Sequence, residues 1–218
     1  MKKTEILRLS TEEKNRRIIR RAAEVIKKGG LLSFPTETVY ALGADATNEK
    51  TVKKVFELKK REMDKPMAVF LSGPEELNQF ARSVNSPAGK LMESFWPGPL
   101  TLIFKAKTGR LDYLTGREGK LGVRVSSSWL VPMLLSQTQT PLTATSANLS
   151  GKKEPVSADE VLRYFGGKID LILDGGPARG DVPSSVVDVS GDVPILIREG
   201  RISFDELKRV VPELTVKK

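Results

Sequence analysis

Eight short apolar runs, each closed off by glycine, proline or a polar turn, exclude most architectures for this chain. They are LLSF (31–34), MAVFL (67–71), LTLIF (100–104), LGVRV (121–125), PLTAT (141–145), DLIL (170–173), SVVDV (185–189) and PILI (194–197). Several are continuous rather than alternating, as in strands covered on both faces. Helix starts fall between them. Ser10-x-x-Glu13, Ser72-x-x-Glu75, Ser157-x-x-Glu160 and Ser203-x-x-Glu206 fit the capping box, in which each side chain satisfies a free backbone donor. Ile18, Ala22 and Ile26 share one helical face before Gly29-Gly30 ends that helix. A second helix is predicted over Glu49 to Lys60, burying Val52, Val55 and Phe56, and a third begins at Ser86-Pro87. Strands alternating with helices predict a single α/β domain over 1–218, with runs 185–189 and 194–197 close to a hairpin.

Composition narrows the chemistry. Cysteine and histidine are both absent, which excludes disulfides, thiol nucleophiles, zinc fingers and every imidazole base. Lys, Arg, Ser, Thr, Asp, Glu, Tyr and backbone groups remain. No apolar run approaches the ~18 residues of a membrane span, and the N-terminus MKKTEILRLSTEEKNRR has no apolar signal core. A cytoplasmic protein without membrane contact is expected. The net charge of +9 fits an anionic partner such as nucleic acid or nucleotide, or equally a basic solubilising surface.

Polar clusters follow several of the predicted strands. In SFPTETVYALG (33–43), Thr36, Glu37, Thr38 and Tyr40 follow a strand, where α/β sheets bind ligands, although a polar turn reads the same way. LKKREMDKP (58–66) places Lys59, Lys60, Arg61 and Lys65 at a helix C-terminus, where they complement the dipole or clamp a polyphosphate. FWPGPLTLIF (95–104) reads as a structural corner with Trp96 packed. Arg124, between apolar neighbours in GVRV, calls for a buried ion pair or an anionic substrate group. PLTATSANLSG (141–151) concentrates Thr145, Ser146, Asn148 and Ser150. DGGPARGDVPSSVVDV (174–189) is a glycine-rich loop ending in paired serines, and Arg198 closes the last strand. Neither a P-loop nor a dinucleotide-binding glycine fingerprint is present.

In this order PTETVYALG, KKREMDKP, WPGPLTLIF, GVRV, SANLSG and DGGPARGDVPSSVVDV–ILIREG resemble the YrdC-type threonylcarbamoyl-AMP synthases across about residues 15 to 211. No single motif is decisive; their ordered combination is specific. The resemblance implies a twisted mixed sheet flanked by helices with a large basic concave face. It also implies condensation of L-threonine, bicarbonate (or CO2) and ATP, with Mg2+, into threonylcarbamoyl-AMP and pyrophosphate. Partner proteins then transfer the threonylcarbamoyl group to the adenosine beside the anticodon of ANN-decoding tRNAs, so a tRNA contact is also implied. Carried over by position, Thr36, Thr38, Arg124, Ala144 and Ser184 fall at the threonine site, Arg124 against the carboxylate. Lys59 and Arg61 match a K-x-R motif that holds the nucleotide phosphates and serves catalysis. Lys65, Ser146, Asn148 and Arg198 match further ATP contacts. Three positions depart from the family pattern: Glu62 for proline, Ala41 for glycine, and Phe70 for a histidine near threonine.

Such a reaction requires neither thiolate nor imidazole, because positioning and charge neutralisation carry it. Water exclusion protects a labile carbamate, and the stretch Gly175–Gly180 is the expected mobile cover. Two other classes compete. One is a basic RNA-binding module without catalysis, disfavoured by 6% aromatics. The other is a carbamoyl-transfer domain using carbamoyl phosphate.

Overall fold

All eight apolar runs form strands in the computed structural model, which describes residues 3–109, 111–178 and 180–217. In chain order the elements are β1 (Glu5–Arg8), α1 (Glu12–Lys27), β2 (Leu32–Pro35), β3 (Tyr40–Gly43), α2 (Glu49–Lys59) and β4 (Ala68–Phe70). A 3-10 turn over Pro74–Gln79 leads to α3 (Ser86–Phe95) and β5 (Leu100–Lys105); a second, Asp112–Leu114, precedes β6 (Lys120–Arg124). Then come α4 (Leu130–Thr138), β7 (Leu142–Ser146), α5 (Ala158–Phe165), β8 (Leu171–Asp174), β9 (Ser185–Asp188), β10 (Ile195–Arg198), α6 (Phe204–Val210) and β11 (Thr215–Val216). The strands join in one mixed sheet, ordered β1-β8-β2-β3-β7-β4-β6-β5-β9-β10-β11. The predicted closing hairpin is present, β9 and β10 pairing antiparallel with a register shift between Leu196 and Arg198. Among the described residues no helix is long and apolar enough to cross a membrane.

Alternation along the strands decides which layer each side chain joins. Leu32 and Phe34 of β2 and Ala41 of β3 pack with Ile19, Ile26, Leu130 and Leu134, under a layer made of α1 and α4. Tyr40 and Leu42 face the opposite way, into a larger core with Val52, Val55 and Phe56 of α2. Farther along the sheet, Leu102, Phe104, Leu121, Val123 and Val187 join that same core. Their alternates Thr101, Ile103, Gly122, Arg124 and Val186 line a cavity instead. One face of this half of the sheet is therefore the floor of the site.

Only the Ser203 box is complete, its hydroxyl accepting from Glu206 N while the Glu206 carboxylate accepts from Ser203 N. Ser157 accepts from Glu160 N, but that glutamate turns to Val156 N. Ser10 is not a cap: Thr11 holds that position without a side-chain bond, and Asn15 accepts from Ser10 N. Ser72 precedes the 3-10 turn rather than an α-helix. Asn48 and Asn85 are the working caps of α2 and α3, so the third helix is capped one residue before Ser86.

Candidate active site

The cavity, about 600 Å3, opens where β4, β6, β5, β9 and β10 meet the ends of β2 and β7. Among the described residues, five basic side chains (Lys59, Arg61, Arg124, Lys152 and Arg198) and one carboxylate, Glu154, line it. Of the eleven residues expected at the site, ten line this space, coming from six separate stretches of chain. Lys65 does not. It is exposed on the loop after α2 and pairs with Glu62 at 2.9 Å, where the family pattern has proline.

The first cluster is built on the turn between β2 and β3. Pro35 ends β2, and four residues later β3 runs back antiparallel, so Thr36 and Thr38 project together from a tight reversal. Thr36 Oγ1 donates to Val39 O at 2.8 Å and lies 2.9 Å from Thr38 Oγ1. Arg124, at the end of β6, is 6% exposed and donates through Nη2 to Glu37 Oε1 (2.9 Å) and Thr38 Oγ1 (3.1 Å), and through Nε to Gly98 O (3.3 Å). Of the two sequence readings of this arginine, the buried ion pair is present, and the side chain also lines the cavity. Burial lowers the Arg124 pKa, opposed by Glu37. Burial raises the Glu37 carboxyl, but Arg124 and the Ser126 hydroxyl outweigh that and leave it below its ordinary value. Phe70, at the expected histidine position, lies beneath the Arg124 guanidinium, 5.7 Å from centroid to Cζ. It supplies a cation–π surface where histidine would supply hydrogen bonds.

The second cluster surrounds the end of α2. Lys60 adopts the left-handed C-cap conformation (φ 51°), which turns the chain so that Lys59 points inward and Arg61 reaches the cavity. Lys59 is 2% exposed and donates to Ser146 O (2.5 Å), Asn148 O (2.7 Å) and Asn148 Oδ1 (3.2 Å). All three ammonium protons therefore brace the S-x-N segment after β7. Burial pulls its pKa down to about 7, Arg61 adds repulsion, and Glu154 opposes both. Ser146 Oγ donates to Asn148 Oδ1 at 2.6 Å, and Asn148 Nδ2 donates to Lys152 O at 2.5 Å. Arg61 Nη2 donates to Pro66 O at 2.6 Å, and its buried Nε has no hydrogen-bond partner among the described residues.

Arg198 stands between the clusters. It donates to Ser184 O at 2.8 Å, and Ser184 Oγ lies 2.9 Å from Thr101 Oγ1. Burial lowers its pKa; Glu154 opposes that, and both Arg124 and Arg61 reinforce it. Three guanidinium groups thus share one space with the Glu154 carboxylate, while Glu37 pairs with Arg124 from behind the lining. Ala144 lines the floor without a polar side chain.

The glycine-rich stretch expected to cover the site is pinned. Tyr40 Oη donates to Gly176 O (2.6 Å) and Ala178 N donates to Val156 O (2.7 Å). Arg179 lies outside the described residues. None of Gly175–Ala178 or Gly180 lines the cavity; Pro183 and Ser184 do. Thr101, Lys152 and Glu154 were not singled out from the sequence. Thr101 was legible as the polar alternate in LTLIF; the other two gave no signal.

A family model described as telomere recombination, covering Sua5, YciO and YrdC, matches residues 24–200. A threonylcarbamoyl-AMP synthase of Pyrococcus abyssi is 39% identical over 91% of the chain, which spans 58% of that relative. A putative threonylcarbamoyl-AMP synthase of Methanocaldococcus jannaschii is 34% identical over 91% of the chain and 93% of its own length. The crystal structure of P. abyssi Sua5 complexed with L-threonine superposes with a TM-score of 0.91 at 37% identity, over 98% of this chain and 62% of that one. The chain thus spans about three-fifths of the Pyrococcus proteins. Family model, sequence identity and superposition agree over nearly the whole sheet, and the chain belongs to the Sua5/YciO/YrdC family.

Proposed function

We propose that this chain synthesises threonylcarbamoyl-AMP from L-threonine, bicarbonate and ATP, releasing pyrophosphate. The observation that carries the reading is the division of one cavity into a guanidinium–hydroxyl end and a cationic end joined by Arg198. An amino acid needs a donor for its carboxylate and hydroxyl-sized polar partners, which Arg124, Thr36, Thr38 and Ser184 supply. A triphosphate needs concentrated positive charge, which Arg61 and Arg198 supply. Lys59 serves this end by holding Ser146 and Asn148 toward the nucleotide.

In the reaction the threonine amine adds to the carbon of bicarbonate, water leaves, and a carbamate forms. A carbamate oxygen then attacks the α-phosphorus as its bond to the bridging oxygen of pyrophosphate breaks. Charge grows on the departing phosphates, where Arg61 and Arg198 stabilise it in a partly desolvated space. Magnesium would enter with the nucleotide phosphates as part of the substrate. The product would feed proteins that transfer threonylcarbamoyl to tRNA, and the +9 charge supports a secondary tRNA contact.

Mass spectrometry of the protein mixed with ATP, Mg2+, threonine and bicarbonate tests this directly. Threonylcarbamoyl-AMP and pyrophosphate should appear together, and carbamoyl phosphate should not replace bicarbonate. Absence of the adduct, or equal product from carbamoyl phosphate, refutes the assignment.

A further inference from the structure

Glu37 does not line the cavity, yet its carboxylate makes three directed contacts, as many as Arg124 itself. Its side chain is 14% exposed. Oε1 accepts from Arg124 Nη2 (2.9 Å) and from Ser127 N (3.2 Å), and Oε2 accepts from Ser126 Oγ (2.5 Å). One carboxylate thereby ties the β2–β3 turn to the chain leaving β6. We propose that Glu37 is a positioning residue for the amino-acid end of the cavity. It holds the Arg124 guanidinium at one angle against the Thr38–Thr36 hydroxyl pair, whose own hydrogen bond has a single direction. The inference rests on the proposed function, because it assigns that end of the cavity to threonine.

The direction follows from counting protons. Thr36 spends its only hydroxyl proton on Val39 O, so the 2.9 Å contact is Thr38 donating to Thr36. Thr36 Oγ1 also accepts from Thr38 N at 3.2 Å, which fills its two lone pairs. Thr38 Oγ1 accepts from Arg124 Nη2 at 3.1 Å, so one of its lone pairs remains. This edge therefore offers a ligand an acceptor and no donor, which suits the N–H or O–H of an amino acid. The donor for the ligand carboxylate is Arg124 Nη1, since Nε and Nη2 are engaged with Gly98, Glu37 and Thr38. Without the carboxylate, Arg124 becomes a buried cation lacking its counter-charge, free to turn toward other acceptors. An amide cannot substitute. Its oxygen at the Oε1 position can serve Arg124 and Ser127 N, but its NH2 then meets the Ser126 hydroxyl, which donates in the native arrangement and accepts from Ser128 N at 3.2 Å.

The test measures threonine and ATP binding separately by calorimetry on the full chain, alongside thermal melting and steady-state kinetics. Glu37→Gln should weaken threonine binding about 10- to 100-fold and raise the KM for threonine in step. ATP affinity and the KM for ATP should change less than about threefold. Ser126→Ala, which leaves the ion pair and removes one tie, should weaken threonine binding by roughly 3- to 10-fold with ATP unaffected. It keeps the test open should Glu37→Gln fail to fold. Equal loss of both ligands with a lowered melting temperature, or unchanged threonine affinity in either folded variant, overturns the inference. A wild-type chain that binds ATP but not threonine overturns the proposed function itself. Normal wild-type binding with normal Glu37→Gln binding overturns only this assignment.

Discussion

Replacing Lys59 with methionine isolates what a buried ammonium does in this site, because its opposing terms are nearly equal. The substitution strips a charged donor from Ser146 O and Asn148 O, while Asn148 Oδ1 keeps Ser146 Oγ. An orphaned buried carbonyl costs about 1–3 kcal/mol, so the pair costs about 2–6 kcal/mol. Against this, burial lowers the Lys59 pKa from 10.5 to about 7, a penalty of about 5 kcal/mol at ~1.36 kcal/mol per pH unit, which methionine escapes. The net change at pH 7 should stay within about 3 kcal/mol of zero. Activity should not be spared. The S-x-N segment loses its brace, and a displacement of about 1 Å at a reacting site costs on the order of 100-fold in turnover. The pH dependence supplies a second check with a definite sign. Between pH 7 and 10.5 the unfolded lysine keeps its proton while the folded one sheds it, so the unfolded state binds more protons and stability rises with pH. From pH 7 to 9.5 the wild type should gain about 3 kcal/mol from this group, and the variant should lack that gain. Tyr40, pushed up to about 12 by burial, acts in the opposite sense above pH 10, outside the chosen window. Urea unfolding at several pH values and pyrophosphate release against ATP concentration measure both effects. A stability loss above about 4 kcal/mol at pH 7, parallel pH slopes in the two proteins, or unchanged ATP dependence would refute the reasoning.

Other perturbations probe different contacts. Arg61→Ala should remove about 2–4 kcal/mol of transition-state stabilisation while the melting temperature holds; near-wild-type turnover at saturating ATP ends its assigned role. Valine should be rejected far more strongly than serine, which should fall by about tenfold or more, and comparable use of valine and threonine in pyrophosphate release would count against a polar amino-acid end. Gly200→Ala would place a Cβ within 2.4–2.6 Å of Pro183 O and the Ser184 backbone, so about 1–3 kcal/mol of stability should disappear together with the Arg198–Ser184 geometry; an unaffected melting curve would contradict that packing. Raising salt from about 50 to 200 mM should lower tRNA affinity by orders of magnitude, measured by filter binding, yet leave synthesis without RNA almost unchanged. A shared salt slope would mean that the two surfaces act as one.

The sequence by itself determined the layers and the cast of the site. Eight apolar runs became strands because a run of four or five mostly apolar residues between turn signals has few other ways to be buried. The segments singled out supplied ten of the cavity's lining residues: most lie in or beside strands, since an α/β sheet gathers the ends of its strands, while Lys59 and Arg61 come from the end of α2. β3 went unread because YALG is buried on both faces and follows a turn of four residues, leaving no boundary to see. α4 went unread because Pro132 and a uniformly apolar stretch conceal the helical period, although a first-turn proline loses no bond. Capping was misjudged at Ser10 and Ser72 because a motif fixes only local competence, and Thr11 and Gly73 hold those cap positions once the chain is placed. Tertiary structure alone decided how the cations divide their work. Lys59, Arg61 and Lys65 look interchangeable along seven residues of chain, yet one is sealed against Ser146 and Asn148, one faces the cavity and one sits in solvent beside Glu62. The left-handed turn at Lys60 and the approach of β7 separate them. A cation's partners are set by which distant backbone oxygens come within 3 Å, and only the packed fold brings those oxygens there.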